Sequence, residues 1–498
     1  MTRVRIAPRR TIQGEKVQAR FILLPTRGFT ATEPYTAPAT LRFLASLTPS
    51  VEAEAPHMRV LDSIRETGAK LVSLSPASVG EFRREHPGTR IVPEVFYRPA
   101  RAPRPAVRVA ATRAEPASAT SVVLSVTLES DGVPLAGVDV IGFTDFNEGR
   151  GAHGRTNRRG QVRLRLPASI RSLERLYLFP RTRAWPRVIR DYRITPAPIV
   201  LTEIDPAFED SRGACYRRAE HDDGRGVTVG VIDTGCGPHP ALSIDGGANT
   251  VFGESEAEWA DVDGHGTHVA GLVAANAERV RGVAPAARLR AYRVFGANDD
   301  SASNFAIAKA IDRAVADGCD LLNLSLGGGP LDVLTDEAIK DARSRGVLCI
   351  VAAGNDGGDV AWPGRHTLAM AVSAIGVRAR WPRDATQAEE VERPFGRLFE
   401  GDPCFVARFS NRGPEIDLAA PGLGIISTLP PDALGVMDGT SMACPVAAGI
   451  LAYRLAKRPD ILAMPRETAR ADEIERLALT GNVDLELPRD LQGQGMPR

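Results

Sequence analysis

The 498-residue chain carries 62 Lys and Arg against 61 Asp and Glu, a formal charge of +1, and is 43% hydrophobic and 25% charged. That length exceeds one ordinary core and predicts two to four domains, while the near-neutral balance excludes a dedicated nucleic-acid surface and the ordinary composition excludes wholesale disorder. No run reaches the roughly 18 apolar residues of a membrane span, and the charged first residues lack the apolar stretch of a secretory signal. Six cysteines (215, 236, 319, 349, 404 and 444) are scattered without a CxxC pair or a framework spacing. The expectation is a cytoplasmic protein with reduced thiols and no membrane partner, with export by a signal-less route left open.

Taken in chain order, residues 17–24 read as a strand, 60–66 as a short helix and 70–74 as a strand. Ser75-Pro76 then opens a helix that stops at His86-Pro87-Gly88, and 89–97 form a last strand. Residues 1–97 are thus expected to be a small α+β domain. Residues 98–118, with Pro99, Pro103, Pro105 and Pro116, read as a linker that does not pack and invites proteolytic nicking.

Between 119 and 204 short strands recur at roughly ten-residue spacing (122–128, 138–143, 161–166, 176–179 and 199–202), around an Asp131-Gly132 turn and a polar tip at 147–158. This spacing predicts a β-sandwich. The run from Gly132 to Val138, with Arg159-Gly160-Gln161-Val162, resembles small Ig-like modules, which implies a spacer or protein-contact unit.

Residues 205–498 alternate apolar strands (226–233, 288–295, 319–326 and 347–354) with helices (267–276, 303–317 and 334–345). Such alternation predicts an α/β domain with a parallel sheet covered on both faces, where sites form at the C-terminal ends of strands. Asp233 and Asn355 both fall at such ends.

Three segments carry chemistry. Val231-Ile232-Asp233-Thr234-Gly235 ends a strand on an acid. Gly264-His265-Gly266-Thr267-His268 opens a small-residue helix on a histidine. Gly439-Thr440-Ser441-Met442-Ala443 opens another on a serine, with Pro445 in its first turn. A serine hydroxyl is a weak nucleophile that needs a base within reach, and a helix N-terminus favours developing negative charge. A lone Ser here would be a helix cap, and Asp-Thr-Gly alone would be a turn or half of an aspartic protease, whose second motif is missing. His265 with His268 would be a weak metal pair without a third ligand.

Together and in this order the segments resemble the subtilisin-like serine peptidases, over roughly 205–498. The resemblance implies a triad of Asp233, His265 and Ser441, with Asn355 of Ala352-Ala353-Gly354-Asn355-Asp356-Gly357 donating to an oxyanion. It implies that Ser325, Leu326, Gly327 and Gly328 pair with an extended polypeptide substrate, and that Ala352, Ala353 and Gly354 wall the pocket before the scissile bond. Trp362-Pro363-Gly364 resembles the segment closing that pocket, where the proline is commonly cis. Asp356 and Asp359 are candidates for favouring a basic residue there. The 1–97 pattern resembles part of a subtilisin-type propeptide, which implies an intramolecular inhibitor and a zymogen. No cofactor and no metal-ligand residues are expected; residues 276–281 look too short for the family's high-affinity calcium loop, and a weaker calcium site elsewhere stays open. Residues 378–406 depart from the family and read as a surface insertion near the substrate side. Cys236 and Cys444, each three residues after a triad member, are expected to be packing thiols. A latent or single-partner maturation protease, or a protease-fold binding scaffold, stays open as an alternative.

Overall fold

The computed structural model describes residues 18–25, 38–49, 58–108, 119–398 and 401–498. The N-terminal unit is an antiparallel sheet in the order β2-β3-β1-β4, made by β1 (Ala19–Pro25), β2 (Met58–Ser63), β3 (Lys70–Leu74) and β4 (Thr89–Pro93). Helices α1 (Pro38–Ser46) and α2 (Val79–Glu85) accompany it. Successive strand side chains point to opposite faces, so Leu23, Val60, Val72 and Ile91 join Leu47 and Phe82 in one cluster. Ile22, Leu24 and Leu71 face the other way, into a cluster shared with residues of the 205–498 unit. The helix expected at 60–66 is instead strand β2, because Met58 and Val60 alternate into the first cluster and the strand pairs with β3 through a bulge at Val60/Asp62. The strand expected at 89–97 is two, and the second, β5 (Phe96–Pro99), leaves the sheet altogether.

Residues 101–108 follow β5, while 109–118, the rest of the expected linker, lie outside the described residues. Next come β6 (Ala119–Leu128), β7 (Asp139–Asp145), β8 (Arg150–Arg155), β9 (Gln161–Pro167), β10 (Ser172–Phe179), β11 (Arg187–Arg193) and β12 (Ile199–Leu201). They form two sheets, β11-β10-β7-β8 and β12-β6-β9, closed over Leu124, Val126, Val140, Leu164, Leu176 and Leu178. β8 occupies the expected polar tip, and β11 was not legible. Both are Arg-rich strands at a sheet edge, where one weak apolar face hides the period-two signal.

The third unit begins at α3 (Ser211–Cys215). Its main sheet runs β14-β15-β13-β17-β19-β20-β22-β21, with β23 also paired to β20. These strands are β13 (Thr228–Asp233), β14 (Ile244–Asn249), β15 (Arg288–Arg293), β17 (Leu321–Leu324), β19 (Leu348–Ala352), β20 (Ala369–Val377), β21 (Phe395–Arg397), β22 (Pro403–Val406) and β23 (Ile416–Pro421). Short strands β16 (Ala302–Ser303) and β18 (Leu326–Gly327) flank β5. Helices α4 (His265–Ala274) and α7 (Thr440–Ala456) bury residues in one apolar cluster, and α5 (Asn304–Ala316) and α6 (Val333–Ser344) in another. The small residues Ala443, Ala447, Ala448 and Gly449 let α7 run through the core with both ends of its first turn buried.

The 378–406 segment is not a surface insertion. Trp381, Ala385 and Gln387 are buried, β21 and β22 extend the edge of the main sheet, and Asp384 pairs with Arg187 of the sandwich at 2.5 Å.

Candidate active site

Strand β13 ends on Asp233 and delivers its carboxylate beneath α4. Asp233 Oδ1 lies 2.7 Å from His265 Nδ1 and accepts the Thr234 amide at 2.7 Å. Both residues are buried, which makes this pairing strong and fixes the ring, while His265 Nε2 is buried with no partner among the described residues. The loop before His265 is organised by Asp261, which the motif reading missed. Its carboxylate accepts from the amides of Asp263, Gly264 and Thr267 at 2.9, 2.8 and 2.7 Å and from the Thr234 hydroxyl at 2.9 Å. The Thr267 hydroxyl donates to it as well, and burial still pushes its pKa up against these bonds. An acid a few positions before a Gly-His-Gly was the available signal.

Ser441 opens α7 after Gly439, whose φ is +154° and whose absent Cβ would meet the Ala100 carbonyl oxygen at 2.6 Å. A side chain there would therefore close the site. Asn355, one turn beyond β19, accepts the Thr440 amide on Oδ1 at 2.8 Å, and its Nδ2 is buried and unpartnered among the described residues. Thr440 Oγ1 in turn accepts the Gly354 amide at 3.1 Å. Among the described residues the centre thus keeps three buried polar atoms unpaired, His265 Nε2, Asn355 Nδ2 and the second Asp233 oxygen, where leaving such a group without a partner costs about 1–3 kcal/mol.

The groove is filled by the chain's own residues. β5 lies antiparallel between β16 (Tyr97 opposite Ala302) and β18 (Arg98 opposite Gly327, Pro99 opposite Leu326). The Ala100 amide donates to Ser325 O at 3.0 Å, and the Ala100 carbonyl accepts from the Ser441 amide at 3.2 Å and from Ser441 Oγ at 2.5 Å. Three places upstream, Tyr97 is fully buried. Its ring fills the space that a side chain at Gly329 would need, with a contact at 2.5 Å, and its hydroxyl donates to Asp332. The other Asp332 oxygen accepts from Asn304 Nδ2 at 3.0 Å and from the Thr335 amide at 2.9 Å. Downstream, Arg101 pairs with Asp263, and the Ala102 amide donates to Asp438 O at 2.9 Å. Residues 98–102 are therefore packed in the groove rather than a loose linker.

Of the residues read from sequence, Ser325, Leu326 and Gly327 contact this segment, and Gly328 instead bonds the Trp362 carbonyl at 3.2 Å. Ala352 and Ala353 are buried at the end of β19, and Gly354 bonds Thr440; the Trp362–Pro363 peptide is cis. Asp356 and Asp359 are exposed, and Asp359 lies 3.7 Å from Arg365. His268 is buried, with Nε2 3.1 Å from Ile425 O, and burial above all drives its pKa down to about 3, so it stays neutral. The Cys236 and Cys444 thiols are buried against the Gly266 and Ile350 carbonyls, and burial pushes both pKa values up. Among the described residues no helix is long and apolar enough to cross a membrane. Sequence reasoning missed Tyr97, Ala100, Asp332 and Asp438, for which only the apolar and proline pattern of 96–103 offered a hint.

Residues 224–496 match the Subtilase family. Subtilisin Savinase of Lederbergia lenta is 39% identical over 239 residues, 47% of this chain and 78% of that protein. The major intracellular serine protease of Bacillus subtilis (strain 168) is 36% identical over 286 residues, 55% of this chain and 81% of that protein. M-protease of Shouchella clausii (strain KSM-K16) is 39% identical over 239 residues, but the chain spans only 56% of its length.

Proposed function

Because the chain belongs to the subtilase family, we propose that it is a serine endopeptidase that cuts its own chain between Ala100 and Arg101 and is then held in check by its N-terminal unit. The observation that carries this reading is the Ala100 carbonyl, hydrogen-bonded to the amide and hydroxyl of Ser441.

From that position Ser441 Oγ attacks the Ala100 carbonyl carbon once it turns toward the unpartnered Nε2 of His265, which takes its proton. Asp233 holds the ring through Nδ1 and stabilises its cationic form. The negative charge developing on the Ala100 oxygen is met by the Ser441 amide, with Asn355 Nδ2 as the second donor. Collapse breaks the bond to the Arg101 nitrogen, which leaves with the proton from His265. Water then frees the acyl group from Ser441 by the same steps in reverse order.

Residues 1–97 act in this reading as a propeptide-like inhibitor. Its support is the way Ile22, Leu24 and Leu71 share an apolar cluster with α5 and α6, flanked by ion pairs of Asp62 with Lys309 (2.8 Å), Arg65 with Asp312 (2.5 Å) and Arg90 with Glu337 (3.1 Å). The 119–204 sandwich, read as an Ig-like module, stays attached to the 205–498 peptidase unit after cutting. A cytoplasmic setting accords with six buried, unbridged cysteines. The test compares wild type with Ser441→Ala by intact mass and casein hydrolysis. A new N-terminus at Arg101 in wild type alone supports the reading. Two intact, inert proteins would overturn it.

A further inference from the structure

Beyond Ala102 the segment leaves the catalytic unit and runs onto the β-sandwich. Arg104 Nη1 lies 3.3 Å from Asp139 Oδ2 of β7, and its guanidinium stands 4.5 Å from the centre of the Phe179 ring on β10. Val107 packs against the cluster of Phe143, Tyr177 and Phe179, and the Arg108 amide donates to Gly149 O at the tip of the β7–β8 hairpin at 2.9 Å. Asp139 gives its other oxygen to Arg155, at 2.6 Å, so one carboxylate holds two guanidinium groups.

The surface that receives this segment is not free to swing away. Glu389 of the catalytic unit accepts from the Tyr177 hydroxyl at 2.8 Å and from Arg190 at 2.6 Å. The Arg183 amide donates to Leu434 O at 3.0 Å, and Trp185 is buried in the catalytic core cluster. Asp438, which holds the Ala102 amide, is itself bonded by Gln387 at 2.8 Å. The segment thus passes from Ser441 to the sandwich over two surfaces that are bonded to each other.

We propose that the sandwich is the leaving-group half of the substrate groove, a binding site for extended polypeptide that takes a basic residue at the fourth position after the scissile bond and an apolar one at the seventh. A guanidinium there gains both an opposite charge and an aromatic face, a pairing that an alanine cannot make and a carboxylate opposes. The inference rests on the peptidase reading but makes a separate demand on it. The sandwich acts on substrate choice, and is more than a spacer.

The test is made twice on the full chain. In cis, the first-order cut at Ala100–Arg101 is timed by intact mass for Arg104→Ala, Arg104→Glu and Arg104→Glu with Asp139→Arg. Arg104→Glu is expected to slow the cut about tenfold, with the double variant recovering most of the rate. In trans, the processed wild type and Asp139→Asn are given internally quenched peptides of the 96–108 sequence bearing Arg, Lys, Ala or Glu at the fourth position after the bond. The kcat/KM ratio of the Arg to the Glu peptide should reach about tenfold in wild type and collapse toward one in Asp139→Asn. This ratio is unaffected if the enzyme's own 101–108 tail competes. Cutting at equal rates across both series overturns the proposal while leaving the peptidase reading intact. If no chain or peptide is cut, and Ser441→Ala behaves identically, both fall together.

Discussion

His265 and Asp233 meet at 2.7 Å in a buried pair, whereas His265 Nε2 and Asn355 Nδ2 have no partner among the described residues. In the proposed reaction Asn355 contributes its energy only when charge develops on the substrate oxygen. Asn355→Ala is therefore expected to lower kcat by about 10²–10³ with KM little changed, a magnitude established on subtilisin itself. Steady-state kinetics on a quenched peptide check it. Tyr97 makes a second prediction at this scale, because its hydroxyl reaches Asp332 inside a closed pocket. A hydrogen bond to a charged group is worth about 1.5–3 kcal/mol, so a peptide with Tyr three places before the cleaved residue should exceed its Phe counterpart at least about tenfold in kcat/KM. Equal values for the two peptides would remove Asp332 from substrate reading.

At the scale of elements, the parallel sheet holds the site by its strand ends, and helices brace it from behind. After α7 come α8 (Pro459–Leu462) and α9 (Thr468–Leu479), the latter anchored by the buried Arg470. Arg470 donates to Asp320 Oδ1 at 2.6 Å and to Gly346 O at 2.6 Å, while Asp320 Oδ2 accepts the first amide of β13, Thr228, at 2.8 Å. One carboxylate so ties α9 to the strand that delivers Asp233. Arg470→Met leaves Asp320 the Thr228 amide and, as its cation, the partly exposed Arg466, and should destabilise the unit by about 3 kcal/mol, the lower end for breaking a buried pair. Urea unfolding in a Ser441→Ala background, where self-digestion cannot interfere, measures it.

Across the whole molecule, three units meet along one stretch of chain: the N-terminal sheet docks on α5 and α6, residues 97–102 lie in the groove of the third unit, and Arg104 pairs with Asp139 of the sandwich. Where the 378–406 segment meets that groove, burial and then the Asp438 carboxylate push Glu390 up to about 7, and in β23, away from the groove, burial raises Asp417 to about 6. Between the ordinary carboxylate range and these values the folded chain holds protons that the unfolded chain has lost. The stabilisation from these two carboxyls is then full below their ordinary range and is lost as pH rises through about 7, while His268, held neutral by burial, contributes in the opposite direction up to about pH 6.5. Thermal melts from pH 4.5 to 8 isolate the Glu390 contribution: the Tm difference between Ser441→Ala and Ser441→Ala with Glu390→Gln should shift against the parent as pH rises through about 7. A difference that stays constant over this range would contradict the assignment.

The sequence alone determined the family and the α/β class, along with the residues that short-range backbone chemistry demands. Asp233 ends an apolar strand, while His265 and Ser441 each open a small-residue helix behind a glycine with positive φ. Such requirements act within a few residues, so they leave a local pattern. Only the tertiary structure decided that residues 97–102 thread the groove, that 58–63 form a strand, and that the 378–406 segment wedges between sheet and sandwich. Tyr97 finds Asp332 across 235 positions, and Ser441 finds Ala100 across 341. Neither partner bears any mark of the other in its own neighbourhood, because the contact exists only once separate units have closed on one another.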